Sequence, residues 1–195
     1  FASLELAHQV LADFFLHGAR LRAVLLSKLA EGADGCRHAP NHIRTTLDPF
    51  VRHAFFTSTR PLVIAHRGGA ALAPENTLAA FVHGVGLGAD GIELDVRPSR
   101  DGRVVVHHDE TLDRTTTLRG PVRMRTAAEL AAASVPELAD VLQACPDVRV
   151  IVEIKENDPA FGRLVVAELR KAGAVARACV GGFRGAVLRA VRAEE

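Results

Sequence analysis

The sequence predicts an α/β fold built from parallel βα units, and three observations carry that prediction. Short continuous apolar runs recur, as expected for strands buried on both faces. Tracts with helical spacing separate them. The charged residues suited to chemistry stand at or just after the C-terminal ends of those runs, where parallel α/β enzymes place their sites. Periodicity by itself does not choose between a barrel and a doubly wound sheet.

Leu4, Ala7, Leu11, Phe14, Gly18, Leu21 and Leu25 recur at alternating spacings of three and four, which predicts an amphipathic helix within residues 1–30. Its apolar face is expected to pack on the rest of the domain, with a partner or a membrane surface as the alternative. Asp13, His17, Arg20 and Arg22 break the segment, so it lacks the run of about 18 apolar residues that a transmembrane helix needs. Gly32 to Pro61 mixes Gly, His, Asn, Thr and Pro, Ile43 to Phe56 shows no sustained period, and the stretch is expected to be a connector with at most a short helix. The division is therefore an N-terminal helix and connector over residues 1–60 and an α/β domain over 61–195.

Leu62-Val63-Ile64-Ala65 is the first buried strand and leads into His66-Arg67-Gly68-Gly69. Pro74-Glu75-Asn76-Thr77 supplies helix-start signals, and Leu78, Phe81, Val82 and Val85 give the apolar face. Gly88-Ala89-Asp90-Gly91 then turns the chain into the strand Ile92 to Val96. Asp101-Gly102 marks a tight turn into Val104-Val105-Val106-His107-His108. Helices are expected from Thr126 and through Leu142, a strand over Val148 to Ile154, and a helix over Ala160 to Ala172. Ala178 to Phe183 is the last strand, followed by a final helix.

Composition narrows the function classes. The 195 residues suit one ordinary domain. A hydrophobic content of 48% with mean hydropathy +0.13 fits a soluble globular chain. Lys+Arg 24 against Asp+Glu 23 leaves a net charge of +1, which argues against a general nucleic-acid-binding surface and makes any anion recognition local. Cys36, Cys145 and Cys179 show no metal-binding spacing, so reduced buried thiols and a cytoplasmic setting are expected.

Residues two apart on a strand share a face, so Glu93 projects with Asp95, and Glu153 with Lys155. Three carboxylates and an ammonium can then converge. Ionised carboxylates in contact repel and need a cation, a proton or basic partners. Structural ion pairing with Arg97 or Arg103 is the alternative to a hard divalent cation bound by carboxylate oxygens. His66 and Arg67 follow a buried strand and bring a proton carrier and a bidentate phosphate clasp to the same mouth. In the pair His107-His108, strand alternation does not decide which imidazole faces inward.

From about Pro61 onward these ordered motifs resemble the glycerophosphodiester phosphodiesterase family: His66-Arg67-Gly68, Pro74-Glu75-Asn76-Thr77, Gly88 through Val96, Asp101-Gly102, His108-Asp109, Arg114-Thr115-Thr116, Val135-Pro136-Glu137-Leu138 and Glu153-Ile154-Lys155. The resemblance implies a TIM-type (β/α)₈ barrel, here incomplete with about five βα units. It implies hydrolysis of a small-molecule glycerophosphodiester to glycerol 3-phosphate and an alcohol. Glu93, Asp95 and Glu153 match the metal carboxylates, with Mg²⁺ or Ca²⁺ as the cofactor. His66 and His108 match the acid/base pair, and Arg67 and Lys155 the phosphate contacts. Gly181-Gly182 stands where the family commonly carries serine. A noncatalytic barrel remnant that binds a partner, and a lysophospholipase D-like activity, are the competing expectations.

Overall fold

The computed structural model describes residues 8–16, 19–27, 55, 58 and 60–194. Its strands are β1 (His8–Leu16), β2 (Ala19–Ser27), β3 (Ile64–His66), β4 (Gly91–Pro98), β5 (Val104–Val106), β6 (Arg149–Ile154) and β7 (Ala178–Gly182). The helices are α1 (Leu78–Gly86), α2 (Ala127–Ala132), α3 (Leu138–Ala144), α4 (Pro159–Lys171) and α5 (Gly185–Arg192). One sheet runs in the order β1-β2-β3-β4-β6-β7, with β5 pairing β4 off that path. From β2 to β7 every neighbouring pair on the path is parallel. A helix follows β3, β6 and β7 directly, and helices follow β4 after the return strand β5, which is the βα rhythm of part of a TIM-type barrel.

Two expectations are corrected here. The N-terminal stretch is an antiparallel hairpin, with His8 paired to Ser27 and Leu16 to Ala19, instead of an amphipathic helix. Apolar residues such as Val10, Leu11, Phe14, Phe15 and Leu16 also satisfy a strand, and the spacing of three and four was one of two patterns the segment holds. Parallel pairing with β3 through Leu25 and Ile64 decides in favour of the strand. The connector expected between the hairpin and Pro61 lies almost wholly outside the described residues.

The second correction is the number of βα units. Val104–Val106, taken as one of five, pairs antiparallel with Val96–Pro98 across the Asp101-Gly102 turn. Residues 61–194 therefore carry four parallel strands, β3, β4, β6 and β7. Alternation explains what β5 does instead. Val104 and Val106 join the main core, while Val105 points the other way into a smaller cluster with Leu112, Val122, Leu130 and Val135.

The main core lies between the sheet and the helices outside it. Ile92, Leu94 and Val96 of β4, Val150, Val152 and Ile154 of β6, and Phe81, Leu138, Val141 and Val165 of the helices are buried together. The exposed face of α1 differs from expectation: Phe81 is buried, but Leu78 and Val82 face outward and Ala80 and Gly84 face in. Small residues are required there because the loop after β3 lies on the helix. A Cβ on Gly84 would sit 2.8 Å from the Gly68 carbonyl oxygen. Among the described residues, no helix is long and apolar enough to cross a membrane.

Candidate active site

Strand register assembles the site. His66 is paired with Glu93, Asp95 with Glu153, and Glu153 with Gly181 on adjacent parallel strands. Neighbouring strands lie about 4.8 Å apart, so side chains at paired positions on one face are in reach of each other. Glu93, Asp95 and Glu153 each bring a carboxylate oxygen to within 4.8 Å of the others. Glu93 and Asp95 are 2% and 1% exposed, on the face of β4 opposite the apolar Ile92, Leu94 and Val96.

Two cations offset this charge. The Arg67 Nε stands 3.3 Å from Asp95 Oδ2, and the Lys155 Nζ 3.0 Å from Asp95 Oδ1. Lys155 also donates to Glu153 Oε1. Burial works against the Lys155 ammonium, but Asp95 and Glu153 outweigh it and raise its pKa. The pairing with Arg97 or Arg103 weighed from the sequence is not what forms. Arg97 donates to Glu156 and to the His108 carbonyl, and Arg103 to Glu137.

Burial, reinforced by the Asp95 charge, pushes the Glu93 carboxyl up to about 8. Raising the Glu93 pKa eases the repulsion between neighbouring carboxylates, while Asp95 and Glu153 lie against Arg67 and Lys155. Asp95 Oδ1 is buried and receives no aligned hydrogen bond, so Lys155 satisfies its charge without completing its coordination. Oxygens bound to one hard cation at about 2.0–2.6 Å lie no more than about 5 Å apart. The three carboxylates fit that requirement, and the buried, uncoordinated Asp95 oxygen is an available ligand.

His66 presents Nε2 3.8 Å from Glu93 Oε2, and its buried Nδ1 has no hydrogen-bond partner among the described residues. Burial and the neighbouring Arg67 charge lower its pKa, which keeps the ring neutral near neutral pH. The structure separates the histidine pair that alternation left open. His107 is 4% exposed, with Nε2 3.1 Å from the Thr111 carbonyl oxygen, a packing role. His108 is about a third exposed, with Nδ1 2.6 Å from Asp109 Oδ1.

Glu75 and Asn76, whose side chains are expected from the sequence to satisfy free N–H groups at the start of α1, instead bond to residues of the site. Pro74 to Thr77 reads as a helix start, yet only Thr77 caps α1, its Oγ1 accepting from the Ala80 N–H. Asn76 is buried in the left-handed region at φ 58° and donates through Nδ2 to Asp95 Oδ2 at 2.9 Å. Glu75 accepts from Arg67 Nη1 at 3.1 Å and from Arg114. Only one residue of the four is needed as a cap, and that surplus of polar residues was the available signal.

Residues 66–176 match the model of the Glycerophosphoryl diester phosphodiesterase family, and the chain belongs to that family. It is similar to the Glycerophosphodiester phosphodiesterase of Caldanaerobacter subterraneus subsp. tengcongensis, 56% identical over 71 residues covering 36% of this chain and 29% of the relative. A solved glycerophosphodiester phosphodiesterase from Agrobacterium tumefaciens str. C58 superposes with a TM-score of 0.62 at 36% identity, covering 68% of this chain and 62% of that one. The phosphodiesterase of Oleispira antarctica, solved in complex with the product sn-glycerol-3-phosphate, gives 0.59 at 27% identity, over 68% and 62%. The chain thus spans less than two thirds of each of these relatives.

Proposed function

We propose that this chain carries the phosphodiester-cleaving site of a glycerophosphodiester phosphodiesterase acting on a small-molecule substrate to give glycerol 3-phosphate and an alcohol. The observation that carries this reading is the convergence of Glu93, Asp95 and Glu153 within 4.8 Å, beside the His66 imidazole and two cations at one end of a parallel sheet. The solved relative holding sn-glycerol-3-phosphate supports the product class. The barrel domain is taken as residues 61–195, and a reducing cytoplasmic setting suits the buried Cys145 thiol.

In this reading Glu93, Asp95 and Glu153 hold a divalent cation, Mg²⁺ or Ca²⁺. When bound, that ion supplies charge that polarises the phosphodiester oxygens. Arg67 and Lys155, already turned toward the carboxylates, contact the phosphate. Two parallel N–H donors suit Arg67 to a bidentate contact, whereas Lys155 acts as a point charge. His66 and His108 form the acid/base pair: one takes a proton from the attacking group and the other gives one to the departing alkoxide. The low pKa of His66 favours the neutral form that accepts.

Glycerol 3-phosphate release from glycerophosphocholine, by a protein containing this chain, tests the proposal. Release is expected to stop with a chelator and to fall by about 10² to 10⁴ fold in His66→Ala or His108→Ala. Full turnover in either variant, or indifference to the chelator, would overturn the assignment.

A further inference from the structure

We propose that Arg114 is a positioning residue that ties His108 and Arg67 into one unit, by bridging the two carboxylates that hold them. Its Nε and Nη2 donate to Asp109 Oδ2 and Oδ1 at 2.7 and 3.0 Å. Its Nη1 and Nη2 donate to Glu75 Oε2 and Oε1 at 3.0 and 2.6 Å. One guanidinium therefore forks onto both carboxylates at once. Asp109 passes that constraint to His108 Nδ1, and Glu75 passes it to Arg67 Nη1. The five planar donors of arginine allow two such forks; the three donors of a lysine ammonium do not.

The consequence for His108 is tautomeric. A carboxylate only accepts, so the 2.6 Å contact places the proton on Nδ1 and leaves Nε2 as the free ring nitrogen. Arg97 fixes the same residue from behind through the His108 carbonyl at 3.0 Å, so ring and backbone are both held. The loop after β3 and the loop after β5 are separate in sequence, and Arg114 is the side chain that spans them. The pair energies themselves are modest, because Arg114 is about half exposed. Its value is in orientation.

This inference rests on the proposed roles of His108 and Arg67, and the test keeps the two apart. Asp109→Asn should lower kcat by about tenfold or more with KM nearly unchanged, because the His108 ring loses its fixed tautomer. Glu75→Gln should mainly raise KM, because Arg67 loses one of its two carboxylate partners. Arg114→Lys should do both. Independently of turnover, the ¹⁵N shifts of the His108 ring should show a protonated Nδ1 in the 195-residue chain and a mixture of tautomers in Arg114→Lys. Arg114→Gln, which also lacks the double fork, provides a second variant. Unchanged ring shifts in both Arg114 variants would overturn the proposal whatever the activity. A changed tautomer with full turnover in His108→Ala would instead overturn the catalytic reading and leave the structural tie standing.

Discussion

At the scale of single residues, Glu93 carries the most tension. It is a carboxyl group at 2% exposure, and burial first and the Asp95 charge second oppose its ionisation. Because its folded pKa is raised to about 8 from an ordinary value near 4.5, its contribution to stability is fully present below about 4.5 and is lost as pH rises through about 8. Melting temperatures of metal-free wild type and Glu93→Gln should therefore diverge, the wild type losing ground to the variant across that window. Taking the difference removes the opposite trend of Asp109, whose pKa Arg114 lowers. A divalent ion should restore the wild type alone at the alkaline end, since it binds the folded carboxylates. Parallel profiles for the two proteins would refute the account.

At the scale of elements, the site depends on how closely the loop after β3 lies on α1. Gly68 adopts φ +81°, and a Cβ there would come within 2.8 Å of the Ala80 backbone. Gly68→Ala combines a left-handed conformation costing about 1–2 kcal/mol with overpacking of about 1–3 kcal/mol. Urea denaturation should show a loss of about 2 kcal/mol or more, and loss of only a few tenths would show that the loop can lift away at little cost. His66 ends β3 and Arg67 opens that loop, so the same substitution should weaken turnover beyond its effect on stability. Arg67 itself is at φ 51°, and its backbone N–H donates to Glu93 Oε2 at 3.1 Å. Backbone and side chain of one residue thus serve the same acidic cluster.

At the scale of the whole molecule, the hairpin β1-β2 covers an edge that would otherwise be open. Leu25 and Leu26 pair with Ile64 and Ala65 on the outer side of β3, and β1 approaches β7 at the far end of the strand order. Deleting residues 1–30 would leave the N–H and C=O groups of β3 unpaired beside an apolar strand. The truncated chain should associate, which light scattering after size-exclusion chromatography would detect. A monomer with the melting temperature of the intact chain would show that the hairpin contributes nothing to closing the sheet.

The sequence by itself determined the strand and helix rhythm from Ile64 onward, because runs such as Val150 to Ile154 admit one reading: too apolar for a surface and too short for a helix. It also determined the two pairs from which the acidic cluster is built, since strand alternation puts Glu93 beside Asp95 and Glu153 beside Lys155; the register of β4 on β6 brings the pairs together. Long-range pairing lay beyond it. Whether residues 8–27 form a helix or a hairpin depends on the edge of β3, and whether Val104–Val106 joins the parallel path depends on the turn at Asp101-Gly102 folding it back on β4. Only the tertiary structure separated buried His107 from His108. Only it could bring Glu75, Asn76, Asp109 and Arg114 to the site, because contacts across loops follow from packing and leave no period in the chain.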